Sequence, residues 1–114
     1  MNLVIAGSRD IRVGIVGIQE YITAARLSPK LVITGGASGI DTDGRNWAVD
    51  RGIPHLVCPA NWEDLGKRAG PIRNAEMADH ADHLLLIWDG KSKGSADMKA
   101  KMLRRGKPIT EVIV

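Results

Sequence analysis

Apolar residues gather in five short runs, at residues 3–6, 31–34, 53–58, 83–88 and 109–114. Each run is nearly continuous rather than alternating, most clearly in Leu84-Leu85-Leu86-Ile87. A strand needs that pattern when both of its faces are covered, as in a parallel sheet. Between the runs the period becomes helical. Ile15, Ile18, Ile22 and Ala25 share one face of a segment over residues 11–27, and Ser28-Pro29 ends it because the residue before proline is pushed out of the helical region. Ile40, Gly44, Trp47 and Ala48 predict a second helix over 41–51, with Gly52 as its cap and Pro54 beyond. Pro71 predicts the start of a short helix reaching about Ala81. A last helix over 95–105 carries Lys99, Lys101, Arg104 and Arg105 towards its negative end, with Gly106 after it. This order predicts an α/β fold: a five-stranded, mainly parallel, doubly wound sheet with helices on both faces. Residues 1–114 have the length of one domain and contain no linker, repeat or low-complexity stretch.

Composition narrows the function. The chain is 44% apolar and 25% charged, as in an ordinary soluble globular protein. The net charge of +3 suits an anionic ligand but is no nucleic-acid signature by itself. With no Phe and one Tyr, a stacking platform for single-stranded nucleic acid is poorly supplied. The lone cysteine, Cys58, excludes an internal disulfide and reads as a buried thiol within Leu56-Val57-Cys58. His55, His80 and His83 lack metal-ligand spacing, so neither a metal nor a cofactor is expected. The start MNLVIAGSRD has no signal-peptide pattern, and every apolar run is far shorter than the roughly 20 residues of a membrane span. The expectation is a cytoplasmic protein without membrane contact.

Three loops stand at strand carboxyl ends, where open parallel sheets bind their ligands. They are Gly7-Ser8-Arg9-Asp10, Gly35-Gly36-Ala37-Ser38-Gly39-Ile40-Asp41 and Asp89-Gly90-Lys91-Ser92-Lys93-Gly94-Ser95. Glycines let backbone N–H groups approach an anion, and a following helix adds unpaired donors and a positive dipole end. Ser8, Ser38 and Ser95 add hydroxyls; Arg9, Lys91 and Lys93 add charge. Strand-to-helix turns often hold glycine, and serine caps helices, but three such loops at one edge favour a ligand site. Neither GxGxxG nor GxxxxGK[ST] is present, which disfavours a generic dehydrogenase or P-loop ATPase. Arg73 and Asn74 fall in the first turn of the predicted third helix, where an arginine fork can hold a phosphate bidentately. Trp47 reads as core, Trp88 as a base-stacking or interface residue, and Trp62 as a possible cover for a ligand.

Together, Gly7-Ser8-Arg9, the Gly-Gly-Ala-x-Gly-x-Asp of residues 35–41, Gly70-Pro71-Ile72-Arg73-Asn74 and Gly94-Ser95-x-x-Met98 resemble the SLOG superfamily, nearest to its small YspA/cpYpsA-related members of bacteria and their phages. The resemblance covers nearly the whole chain. It implies a Rossmann-like three-layer fold that binds or senses a nucleotide-derived small molecule of nucleotide, NAD or ADP-ribose type. Gly35, Gly36, Gly39, Gly94 and Ser95 would hold phosphate, with charge from Arg9 and Arg73. Gly7, Ser8, Ser38, Asp41, Asn74, Gly90 and Lys93 complete the expected site. The related LOG phosphoribohydrolases carry Arg-Lys-x-x-Met, which Arg73-Asn74-x-x-Met77 resembles, so Arg73 is the candidate catalytic residue. Their Pro-Gly-Gly-x-Gly-Thr-x-x-Glu is not matched, and Met98 stands where they place glutamate. A thioether cannot steady an oxocarbenium cation or move a proton, although Asp97 or Asp41 could substitute in principle. Nucleotide N-glycosidase activity is therefore the alternative, and single-stranded DNA binding the third reading. LOG-type relatives pair through helices beside the pocket, so the resemblance also implies a homodimer. Met77, Met98 and Met102 read either as its adaptable contact surface or as core.

Overall fold

Five apolar runs become five strands of one all-parallel sheet: β1 Asn2–Gly7, β2 Leu31–Thr34, β3 His55–Val57, β4 His83–Trp88 and β5 Ile109–Ile113. The structure, a computed structural model, describes residues 1–114. The strand order is β3-β2-β1-β4-β5, and the register pairs Val4 with Ile33 on one side and with Leu84 on the other. The central strands β1 and β4 are buried along nearly their whole length, which is why their sequences show no alternation. The third strand is shorter than its apolar run. The parallel ladder nevertheless continues past both its ends, through Val32 N to Pro54 O and Cys58 N to Thr34 O.

Helices α1 (Gly14–Ala24) and α2 (Ile40–Arg51) cover one face, and α4 (Ala69–His80) and α5 (Lys93–Arg104) cover the other. The result is a Rossmann-like three-layer α/β fold. Ile18, Ile22, Trp47 and Ala48 pack on Leu3, Ile5, Leu85 and Ile87. Across the sheet, Met77, Ala78, Met98 and Met102 pack on Val4, Leu84 and Leu86. The three methionines are therefore core residues and present no exposed contact surface for a partner chain. Trp88 is also core: it is buried, and its indole N–H donates to Glu111.

Two helix starts depart from the sequence expectation, α1 ends at Ala24 rather than Leu27, and one short helix is added. The first helix starts at Gly14, not residue 11, because the buried Asp43 carboxylate on α2 accepts the amides of Val13 and Gly14, at 2.7 and 3.1 Å, and binds Arg12. This serves as its N-terminal cap from another helix. Helix α4 begins at Ala69, two residues before Pro71, since any first-turn position tolerates a missing N–H. Arg73 thus lies in the second turn, not at the helix end. A short helix α3 (Trp62–Leu65) and a 3-10 turn (Gly66–Arg68) precede it, where the sequence carries no periodic signal.

Candidate functional site

The strand order reverses between β1 and β4, and the loops after these strands are tied together there. Ser8 N donates to Ile87 O at 3.2 Å, and Asp89 N donates to Ser8 Oγ at 3.1 Å. Gly7 is glycine because β4 passes so close that a Cβ would run into the Ile87 carbonyl. The β2 loop seats against the same place: Ile40 N donates to Ser8 O, Ser38 Oγ donates to Arg9 O, and a Cβ on Gly39 would strike the carbonyls of Ser8 and Arg9. Gly39 also holds φ of 75°, the left-handed region that favours glycine.

Above this junction opens a cleft of about 420 Å³, at the crevice where ligands of open α/β sheets bind. Its floor is Ala6, Gly7, Met77 and Met98. Its rim brings together Ser8, Arg9, Ala37, Asp41, Arg73, Asn74, Gly94 and Ser95, drawn from all three loops and from α4. Asp10, Asp89, Lys91 and Ser92 line it as well. Gly35, Gly36 and Ser38 instead border an adjoining hollow, and Gly39, Gly90 and Lys93 line neither space. From the third loop it is thus Lys91, not Lys93, that reaches the cleft.

Asp41 changes what the glycine-rich loop offers. Its Oδ2 accepts the amides of Gly35 at 3.1 Å and Ala37 at 3.2 Å, so neither remains free for a phosphate. Burial raises its pKa to about 6, with the two amides and the charges of Arg73 and Arg9 partly opposing the rise. Over Gly35 lies the Arg73 guanidinium, which a Cβ at that position would displace. Arg73 Nη1 donates to Gly35 O at 2.6 Å and Cys58 O at 3.4 Å, while Nε donates to Asn74 Oδ1 at 3.0 Å. Its Nη2 makes no hydrogen bond to the protein. Three of its five N–H donors are thereby engaged, and the two on Nη2 are unpaired. Asn74 is itself buried and donates to Gly94 O and Asp97 Oδ2, linking Arg73 to the first turn of α5.

The third loop closes on itself. Asp89 Oδ1 accepts the amides of Lys91 and Ser92, which hold its carboxyl below the usual range, and Ser92 caps α5 by accepting from Ser95 N. The amides of Lys93 and Gly94 keep no protein partner. Free donors therefore come from Gly94, not from Gly35. The cleft is lined by three cations (Arg9, Arg73, Lys91) and three carboxylates (Asp10, Asp41, Asp89). Asp41, Arg73 and Asn74 were visible as residues, but their mutual bonding was not. Lys91 was singled out for charge, whereas Asp10 and Asp89 appeared only as loop members. Asp97, offered as a substitute for the missing glutamate, bonds Asn74 and Lys101 and does not line the cleft. No group of three or more His, Cys, Asp or Glu side chains is arranged to hold a metal, and no helix is long and apolar enough to cross a membrane. Set against models of protein families, curated proteins and solved structures, the chain matches none.

Proposed function

We propose that this chain binds a nucleotide-derived small molecule in the cleft above β1 and β4. The observation that carries the reading is a mixed lining at the switch point. The open Nη2 of Arg73 and the free Gly94 amide suit a phosphate. The carboxylates of Asp41 and Asp89 suit the hydroxyls of a ribose. A purely basic cleft would favour bare polyphosphate; three cations against three carboxylates favour a sugar phosphate. The volume lies within the range of small-molecule sites. Calorimetry and thermal shift with AMP, NAD and ADP-ribose test this. At a hundredfold excess over Kd, a true ligand adds about 2.7 kcal/mol of stability, and Arg73→Ala abolishes the effect. A folded protein that none of the three stabilises overturns the reading.

Hydrolysis of the N-glycosidic bond is favoured by one observation. Asp41 lines the cleft and exchanges its proton near pH 6, so a carboxyl able to donate or accept one is present although Met98 replaces the glutamate. Chromatography of the same nucleotides after incubation decides between the readings. Base release that disappears in Asp41→Asn establishes the enzyme; intact nucleotide after long incubation leaves a binding protein.

A further inference from the structure

Beside the cleft lies a second hollow of about 300 Å³, and the two share Arg9, Ala37 and Arg73 as a common wall. Trp62 forms its outer side. The chain has three tryptophans, and two are accounted for as core: Trp47 donates to Gln19 and Trp88 to Glu111. Trp62 differs in every respect. It is 51% exposed, and its indole N–H makes no hydrogen bond to the protein. The ring is nonetheless held, because it lies across Gly70 in the first turn of α4, where a Cβ would meet Cη2 at 3.1 Å. The six-membered ring of the indole is braced against Gly70, and about half of the residue is open to solvent. Gly36 and Ser38 also line the hollow, and their amides have no protein partner.

We propose that this hollow is a base-binding subsite: a purine stacks on Trp62 while the phosphate of the same ligand lies against Arg73 in the cleft. The inference rests on the proposed nucleotide binding and specifies its ligand as a purine nucleotide extended across the Arg9–Arg73 wall. An aromatic ring is the partner a base seeks, since every base has a π-face. The free amides of Gly36 and Ser38 supply donors for acceptor nitrogens of the purine.

The test compares AMP with ribose 5-phosphate, which shares the phosphate and sugar but lacks the base, on wild-type protein, Trp62→Ala and Trp62→Phe by calorimetry. Trp62→Ala is expected to weaken AMP binding about tenfold to a hundredfold, the worth of one stacked base, and to leave ribose 5-phosphate within about twofold. Trp62→Phe restores most of the AMP affinity. Unchanged AMP binding in Trp62→Ala, or equal losses for both ligands, overturns the subsite while nucleotide binding stands. Wild-type protein that binds ribose 5-phosphate but not AMP also overturns the subsite. If wild-type protein binds neither compound, the subsite falls; the proposed function falls with it only when NAD and ADP-ribose also fail to bind.

Discussion

Asp41 and Asp43 are two residues apart in the first turn of α2, both buried, yet they respond to pH in opposite senses. Burial lifts Asp41 to about 6, above the ordinary carboxylate value. The folded state then holds that proton more tightly than the unfolded chain. Its contribution is fully present below about pH 4 and is lost as pH rises through about 6. The expected loss is of order 2–3 kcal/mol. For Asp43, burial alone would act the same way, but the Arg12 side chain and the Val13 and Gly14 amides outweigh it and hold the carboxyl below its usual value. Its contribution is present above the unfolded pKa and is lost in acid. Urea denaturation of wild-type protein and Asp41→Asn between pH 4 and pH 7.5 isolates the first effect. The wild type should lose stability relative to the variant as pH rises, and parallel curves would contradict the assignment. Neither behaviour is written in the sequence TGGASGIDTDG, where the two aspartates look alike. One carboxylate meets a loop only a few residues back, the other a helix start 29 and 30 residues away.

Elements were legible where one continuous run of side chains decides them. Four strands fall close to their apolar runs, and α2 and α5 lie within two residues of their periodic segments. What eluded the sequence was set by partners remote along the chain. The start of α1 depends on Asp43, and the place of Arg73 depends on carbonyls 38 and 15 residues away. The glycine pair of the β2 loop illustrates the limit. Its composition pointed to free phosphate-binding amides, whereas Gly35 gives its amide to Asp41 and its vacant side to Arg73, and of the pair only Gly36 keeps a free amide. The tie between α1 and α2 yields a direct test. Asp43→Ala strands two amides and a guanidinium and should cost about 2–4 kcal/mol. Arg12→Ala leaves both amides paired, and Arg12 is mostly exposed, so it should cost far less than Asp43→Ala. Equal losses in chemical denaturation would show that the ion pair, and not the cap, fixes the helix.

At the scale of the whole molecule, the sheet separates two apolar layers that share no helix. Ile22 lies on the α1–α2 side and Met102 on the α4–α5 side, each almost fully buried. Ile22→Val should cost about 0.5–1.5 kcal/mol and Met102→Ala about 2–5 kcal/mol. The double variant should equal the sum within about 0.5 kcal/mol, because the sites have no common partner. A larger discrepancy in urea denaturation would mean that strain crosses the sheet. The placement of the three indoles makes the same partition visible to light. With no Phe and a single Tyr, the near-ultraviolet emission of this chain is dominated by Trp47, Trp62 and Trp88. One sits in each apolar layer and one faces water. Variants that keep a single tryptophan would therefore report separately on the two layers and on the mouth of the hollow. Superimposed melting curves from Trp47 and Trp88 would mark the layers as one cooperative unit. The Trp62 signal, expected at longer wavelength because the ring is half exposed, would shift less on unfolding and would serve instead as a built-in dye for whatever comes to rest on it.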